Sequence, residues 1–416
     1  MPKQSRWLVA VAAIVVQLCL GAAYGWSVFV KPLVKAEHWS LPAVSLTFSL
    51  GIFCLGIGTV IGGNLQDRLG PRVVCSVAGV LYGAGYFSAA SAVAHHSLAG
   101  VYLGYGVITG LGGGMGYVCP IATLVKWFPE RRGLMTGIGV CGYGMGALVM
   151  SAIAAPRLAT VGVAPTFVLL GAAYLVLIVL GAQFFHNPPR AAARTQKESV
   201  AHEFTTTQAL RTPQFWLLWL MLFFNVSAGI MIISQASPMA QELAGATAVS
   251  AAGVVGAIAI FNGLGRVVWA AVSDWIGRSR VFVLLFLIQA CVFFALPHFH
   301  TLGAFTAAVA LVGFVYGGGF GTMPSLAADL FGARNMGGIY GCILLAWGCG
   351  AVPSPILIAR VHERTGGYSL AIYGVAAAMV AAVALPLLVR PPSAPEHQRH
   401  VVSVSAQTTA EPEGVK

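Results

Sequence analysis

Asn262 and Arg266 are the residues of this chain best suited to chemistry, four positions apart in the otherwise apolar run FNGLGRVVWAAV. An arginine in a membrane-length apolar segment costs about 2.5–3.5 kcal/mol on insertion scales, so its presence demands a reason. On a helix, a spacing of four puts both side chains on one face. A guanidinium offers a planar fork of donors that matches a carboxylate bidentately, and an amide beside it can donate or accept. The chemistry this pair suits is recognition of an organic anion. No clustered nucleophile and base accompanies it, so an enzyme is not indicated.

A census of the acids sharpens the point. The twelve carboxylates (Glu37, Asp67, Glu130, Glu198, Glu203, Glu242, Asp274, Asp329, Glu363, Glu396, Glu411 and Glu413) all fall at segment ends, in loops or in the tail. Arg266 lies eight residues before Asp274, roughly 12 Å along a helix at 1.5 Å per residue. No fixed carboxylate at that depth neutralises it, so a substrate carboxylate is its natural counterion. The ten histidines also lie near segment ends, in loops or in the tail, which leaves no dedicated proton carrier at mid-depth. The eight cysteines stand singly without CxxC or CxxxH spacing, so neither a disulfide framework nor a metal site is expected. No cofactor is expected either.

The elements that must position these residues follow from composition. Hydrophobic residues make up 58% of the 416 and charged residues 8%; ordinary soluble domains are about a quarter charged. Apolar stretches long enough to cross a bilayer recur near 7–30, 42–65, 73–94, 99–125, 133–155, 165–185, 213–236, 248–272, 280–297, 303–326, 336–360 and 369–389. They lack strand alternation, and lipid forbids unpaired backbone, so they are expected to be transmembrane helices of an all-α membrane protein. The polar stretch His186–Thr212 divides them six and six. The expected organisation is a six-helix bundle over 1–187, a linker over 188–212, a second bundle over 213–390, and a disordered tail over 391–416. Of the 23 basic residues, 17 fall on the side of the two termini and five on the other, Arg266 being the remaining one. The termini are therefore expected in the cytoplasm. The net charge of +11 is spread over short loops rather than gathered in one patch, which argues against nucleic acid.

The two halves repeat. GGNLQDRLGPR (62–72) is answered by AAVSDWIGRSR (270–280), with Asp67 and Asp274 207 residues apart. GGGMGYVCP (112–120) is answered by GGGFGTMP (317–324), and WFPERRG (127–133) by LFGARNMG (330–337). Such internal repeats mark many transporters. GNLQDRLGPR resembles the G-x-L-x-D-R-x-G-x-R signature of the major facilitator superfamily, and SDWIGR (273–278) stands where that family carries its second copy. The resemblance spans about residues 7–390 and implies two pseudo-symmetric six-helix bundles. At the ends of these segments Asp67 and Asp274 can cap neighbouring helix N-termini. Arg68, Arg72 and Arg278 can pair with carboxylates such as Asp329. These six are the expected gating charges.

RTPQFWLLW (211–219), KWFPERRG (126–133), FNGLGR (261–266) and SDWIGR together resemble the oxalate:formate antiporter group, which also contains bacterial monocarboxylate transporters. That resemblance implies a substrate-binding arginine at Arg266 and cavity aromatics at Tyr24, Tyr117, Tyr143, Tyr316 and Phe320. The oxalate-exchanging members carry a lysine in helix 11. Here no Lys or Arg occurs between Arg334 and Arg360, and Ile343 aligns with the lysine. One cation suits a monoanion. The expectation is a monomeric inner-membrane carrier of lactate- or pyruvate-like acids, working by proton symport and alternating access. The alternatives are an anion antiporter, a drug exporter, which would want a buried acid, and a membrane sensor, which would want a soluble output domain.

Overall fold

The computed structural model describes residues 6–188 and 203–392, and their regular structure is helical throughout. Twelve helices are long and apolar enough to cross a membrane. They are α1 (Arg6–Gly25), α2 (Leu41–Leu69), α3 (Pro71–Ala94), α4 (Leu98–Trp127), α5 (Pro129–Val161), α6 (Val163–Ala182), α7 (Pro213–Ala244), α8 (Ala248–Ile276), α9 (Arg278–His298), α10 (Leu302–Phe331), α11 (Met336–Thr365) and α12 (Ser369–Leu388). Successive spans alternate in direction, so both described ends lie on one face, here termed the terminal face, opposite a distal face. The protein is an all-α membrane protein of twelve transmembrane helices. Its outer surface exposes side chains such as Leu180, Ile260 and Leu387, as lipid contact requires.

Local chemistry explains where the helices start and stop. Ser40, Thr212, Thr247 and Thr301 each accept a backbone N–H of the first turn and so begin α2, α7, α8 and α10. The repeated motif ends both α2 and α8 on a glycine: Gly70 has φ 87° and ψ 157°, and Gly277 has φ 93° and ψ 147°. Side-chain-bearing residues are strained there, which is why the tight α2–α3 and α8–α9 turns carry glycine. Two elements exceed the expected spans. A helix over Ser27–Glu37 carries α1 onward, and Thr206–Leu210 forms a short helix with a Thr205/Gln208 capping box inside the expected linker. The rest of that linker, and the tail from 393 on, lie outside the described residues.

Packing follows the repeat. In the first half α1 packs on α5, α2 on α4 and α3 on α6; in the second half α7 packs on α11, α8 on α10 and α9 on α12. The halves meet mainly where α2 faces α11 and α5 faces α8. Glycines make these seams close. A Cβ on Gly137 of α5 would stand 2.5 Å from the carbonyl oxygen of Arg266 in α8. Backbone thus lies directly against backbone beside the arginine.

Candidate functional site

Arg266 is fully buried at the junction of α5, α8 and α10. Its Nε donates to Asn262 Oδ1 at 3.1 Å, one turn earlier on α8. Its Nη1 donates to the Val140 carbonyl of α5 at 3.3 Å, across the seam between halves. The guanidinium carbon lies 5.0 Å from the Phe320 ring and 5.8 Å from the Tyr143 ring, within cation–π range. Among the described residues no carboxylate forms an ion pair with Arg266, and Nη2 has no hydrogen-bond partner. A buried guanidinium satisfied by an amide, one carbonyl and two ring faces retains its full charge and an unused donor edge. That arrangement can take a carboxylate.

The residues expected around it are brought together. Tyr143 touches Tyr24 at 5.2 Å and Tyr117 at 5.0 Å between ring centroids, and Tyr316 touches Phe320 at 5.3 Å. Tyr24 of α1 and Tyr316 of α10 share a hydrogen bond of 3.2 Å between hydroxyls, joining the two halves. Two buried amides hold these tyrosines from behind. Gln17 of α1 donates to the Tyr117 carbonyl at 3.0 Å, and Asn225 of α7 donates to the Tyr316 carbonyl at 3.1 Å. Gln289 of α9 donates in turn to Asn225 Oδ1 at 3.0 Å. Each half thus braces one of its tyrosines through a buried amide on its first helix.

The aromatic at the centre of this cluster escapes sequence reasoning. Trp347 of α11 lies 5.0 Å from Phe320, 5.4 Å from Tyr117, 5.5 Å from Tyr143 and 5.9 Å from Tyr24. It stands one turn beyond Ile343, the position the alignment matched to a cation, and it is the α11 side chain that reaches the rings packed on Arg266. A tryptophan in the small-residue run AWGCG was the available signal. A cavity of about 310 Å³ lies on the distal side of the cluster. Tyr24, Tyr316 and Asn262 form its inner end, and Leu148, Ile233 and Val255 are among its apolar walls. Arg266 sits one helical turn deeper than Asn262, screened from the cavity by the tyrosine pair.

The terminal face is closed by two repeated contacts. Asp67 at the end of α2 accepts the N–H groups of Gly337 (3.3 Å) and Gly338 (2.6 Å) at the start of α11, with Lys126 Nζ 3.6 Å away. Asp274 at the end of α8 accepts those of Gly133 (3.1 Å) and Leu134 (3.0 Å) at the start of α5, and pairs with Arg278 at 2.5 Å. Each carboxylate therefore caps a helix of the opposite half, where the dipole favours an anion. Asp329 of α10 accepts from Arg278 at 3.2 Å and from Arg132 of α5 at 3.1 Å. Arg68 and Arg72 do not make the expected contact with Asp329. Arg72 turns to Gln183 of α6 at 2.7 Å, and the exposed Arg68 makes no polar contact among the described residues. Lys126 and Arg132 sit at the latches instead, Lys126 beside Asp67 of its own half and Arg132 against Asp329 of the other.

Comparison with known proteins bears on this arrangement. The Major Facilitator Superfamily profile matches residues 13–355 and 259–410. The chain is 36% identical over 354 residues to the uncharacterised MFS-type transporter YhjX of Escherichia coli, covering 84% of this chain and 87% of that one. It is 31% identical over 340 residues to the oxalate:formate antiporter of Oxalobacter formigenes, covering 80% of each. An apicoplast pyruvate carrier of Toxoplasma gondii and a monocarboxylate transporter of Rattus norvegicus also match, at 28% and 30% over 382 and 146 residues, or 74% and 35% of this chain and 68% and 33% of theirs. The fold superposes on the crystal structure of the Escherichia coli fucose:proton symporter with a TM-score of 0.72 at 15% identity, over 92% of this chain and 98% of that one.

Proposed function

Given that the chain belongs to the Major Facilitator Superfamily, we propose that it carries small monocarboxylates across the membrane, with Arg266 holding the substrate carboxylate. The observation that carries this reading is the fully buried guanidinium with a free donor edge and no internal carboxylate. Asn262 at the cavity floor positions Arg266 and lines the way in. Tyr24, Tyr117, Tyr143, Tyr316 and Phe320 supply hydroxyls and ring faces around a short tail. Among the described residues Arg266 is the one cation on these rings, which disfavours a dianion, whose second charge would be buried unpaired at high cost. Relatives named for pyruvate and for monocarboxylates fit the same chemistry, and the oxalate:formate antiporter is named for a dianion as well as a monoanion.

Transport proceeds by alternating access, with both termini in the cytoplasm of the plasma membrane and the chain acting as a monomer. The cavity then faces outward, and the Asp67 and Asp274 latches keep the cytoplasmic face shut until substrate neutralises Arg266. A ligand moves such an equilibrium only by binding one state better than the other, and a carboxylate does so by completing a charge pair that spans both halves. A proton moves inward with the acid. Glu242 and His362, 2.8 Å apart, join the distal ends of α7 and α11 on the entry face.

Proteoliposomes loaded with a pH-sensitive dye test this reading. Inward gradients of lactate or pyruvate should drive uptake with internal acidification, and oxalate should not. Equal movement of oxalate, or no movement of any monocarboxylate, would overturn it.

A further inference from the structure

Trp347 carries a function that the carboxylate site alone does not account for. Its side chain is fully buried, yet its indole Nε1–H has no hydrogen-bond partner among the described residues. The hydroxyl of Tyr143 is unpartnered too, while those of Tyr117 and Tyr340 approach each other. A hydroxyl can rotate and can donate or accept, so tyrosines adapt to whichever acid is bound. An indole N–H is fixed by its ring and only donates. The ring itself is clamped edge-on or tilted against Tyr24, Tyr117, Tyr143 and Phe320, so it cannot swing away to find another acceptor. Burying a donor without an acceptor is costly, and native proteins seldom do it without a use.

The position supplies that use. Tyr143 and Phe320, the two rings over which the Arg266 guanidinium packs, both touch Trp347. The indole and the guanidinium thus approach the same pair of rings from α11 and α8. An acid held by Arg266 against Tyr143 and Phe320 would lie beside rings that Trp347 also touches. We propose that Trp347 is a specificity-determining residue whose indole N–H donates to an oxygen on carbon 2 of the substrate, so that the carrier favours short 2-oxo and 2-hydroxy monocarboxylates over unsubstituted acids. This inference rests on Arg266 as the carboxylate anchor. A site built to hydrogen-bond a substrate oxygen rejects the analogue that lacks it, because its own buried donor is then left unpaired.

The test compares pyruvate and propionate, which share three carbons and one carboxylate, in proteoliposomes of wild type and Trp347→Phe. Phenylalanine keeps an aromatic ring in the cluster and removes the N–H. Wild type should take up pyruvate with the higher kcat/KM. In Trp347→Phe the ratio of pyruvate to propionate kcat/KM should fall roughly threefold to tenfold, as expected for one lost hydrogen bond, whatever the absolute rates of the variant. A thermal midpoint near that of wild type reports that the variant is folded. A variant that keeps the wild-type ratio overturns the role of Trp347 and leaves the arginine site standing. Trp347→Phe losing both acids equally assigns the residue to packing and equally overturns the proposal. Wild type that moves neither acid overturns the underlying carrier reading itself.

Discussion

Replacing Asp274 with asparagine should unlatch the terminal face. Asp274 accepts two backbone N–H groups, Gly133 at 3.1 Å and Leu134 at 3.0 Å, and pairs with Arg278. A hydrogen bond to a charged group contributes about 1.5–3 kcal/mol. Its side chain is 20% exposed, so water takes back part of that figure. Asparagine has one acceptor oxygen and no charge, so it keeps one N–H bond, as a neutral one, and loses most of the dipole interaction with α5. A net loss of about 2 kcal/mol, roughly a 30-fold shift between closed and open states, is the working magnitude. The N–H bond and the dipole interaction run between halves, so their cost falls on the closed arrangement, while the Arg278 pair lost with the charge lies within the second half. Spin labels at exposed positions 72 and 280, one in each half, read the separation by pulsed electron resonance after replacement of the native cysteines. Wild type should give one short distance, and Asp274→Asn should add a longer population. An unchanged distribution in the variant would refute the latch.

Two further outcomes follow from particular contacts. Gly277→Ala forces a side chain onto φ 93° at the α8–α9 turn, a strain of about 1–3 kcal/mol, and should lower the thermal midpoint of the purified protein while leaving substrate KM intact. Asn225→Leu removes the amide that holds the Tyr316 carbonyl and deprives Gln289 of its acceptor, at about 1–3 kcal/mol for each buried group left unpaired. It should raise KM for a monocarboxylate as well as lower thermal stability, and a change in stability alone would assign Asn225 to packing.

Much of this architecture is legible in the sequence because membranes restrict the choices. Twelve apolar runs become twelve helices since lipid permits little else, and the structure departs mainly beyond their ends, at Ser27–Glu37 and Thr206–Leu210. The Asn262–Arg266 contact is legible because it is local to one helix. Asp67 and Asp274 stand out because their motif occurs twice. The remaining contacts depend on which helices meet. Val140 is an unremarkable apolar residue until α5 is laid against α8, where its carbonyl receives Arg266. Lys126 and Arg132 read as loop charges until the end of α4 is laid beside Asp67 and the start of α5 against Asp329. Trp347 reads as one more apolar residue of α11 until that helix is laid against Tyr117, Tyr143 and Phe320.

The central claim is that the Arg266 guanidinium binds the substrate carboxylate. Titration of pyruvate into purified protein by calorimetry, wild type against Arg266→Gln, measures this without depending on which step limits transport. Glutamine removes the charge and keeps polar hydrogen-bonding capacity near Asn262. Loss of a buried, charge-assisted pair costs about 2–5 kcal/mol, so binding should weaken by roughly 30-fold or more, beyond detection for a weakly held substrate. Arg266→Gln protein that remains folded and binds pyruvate with the wild-type Kd would contradict the account.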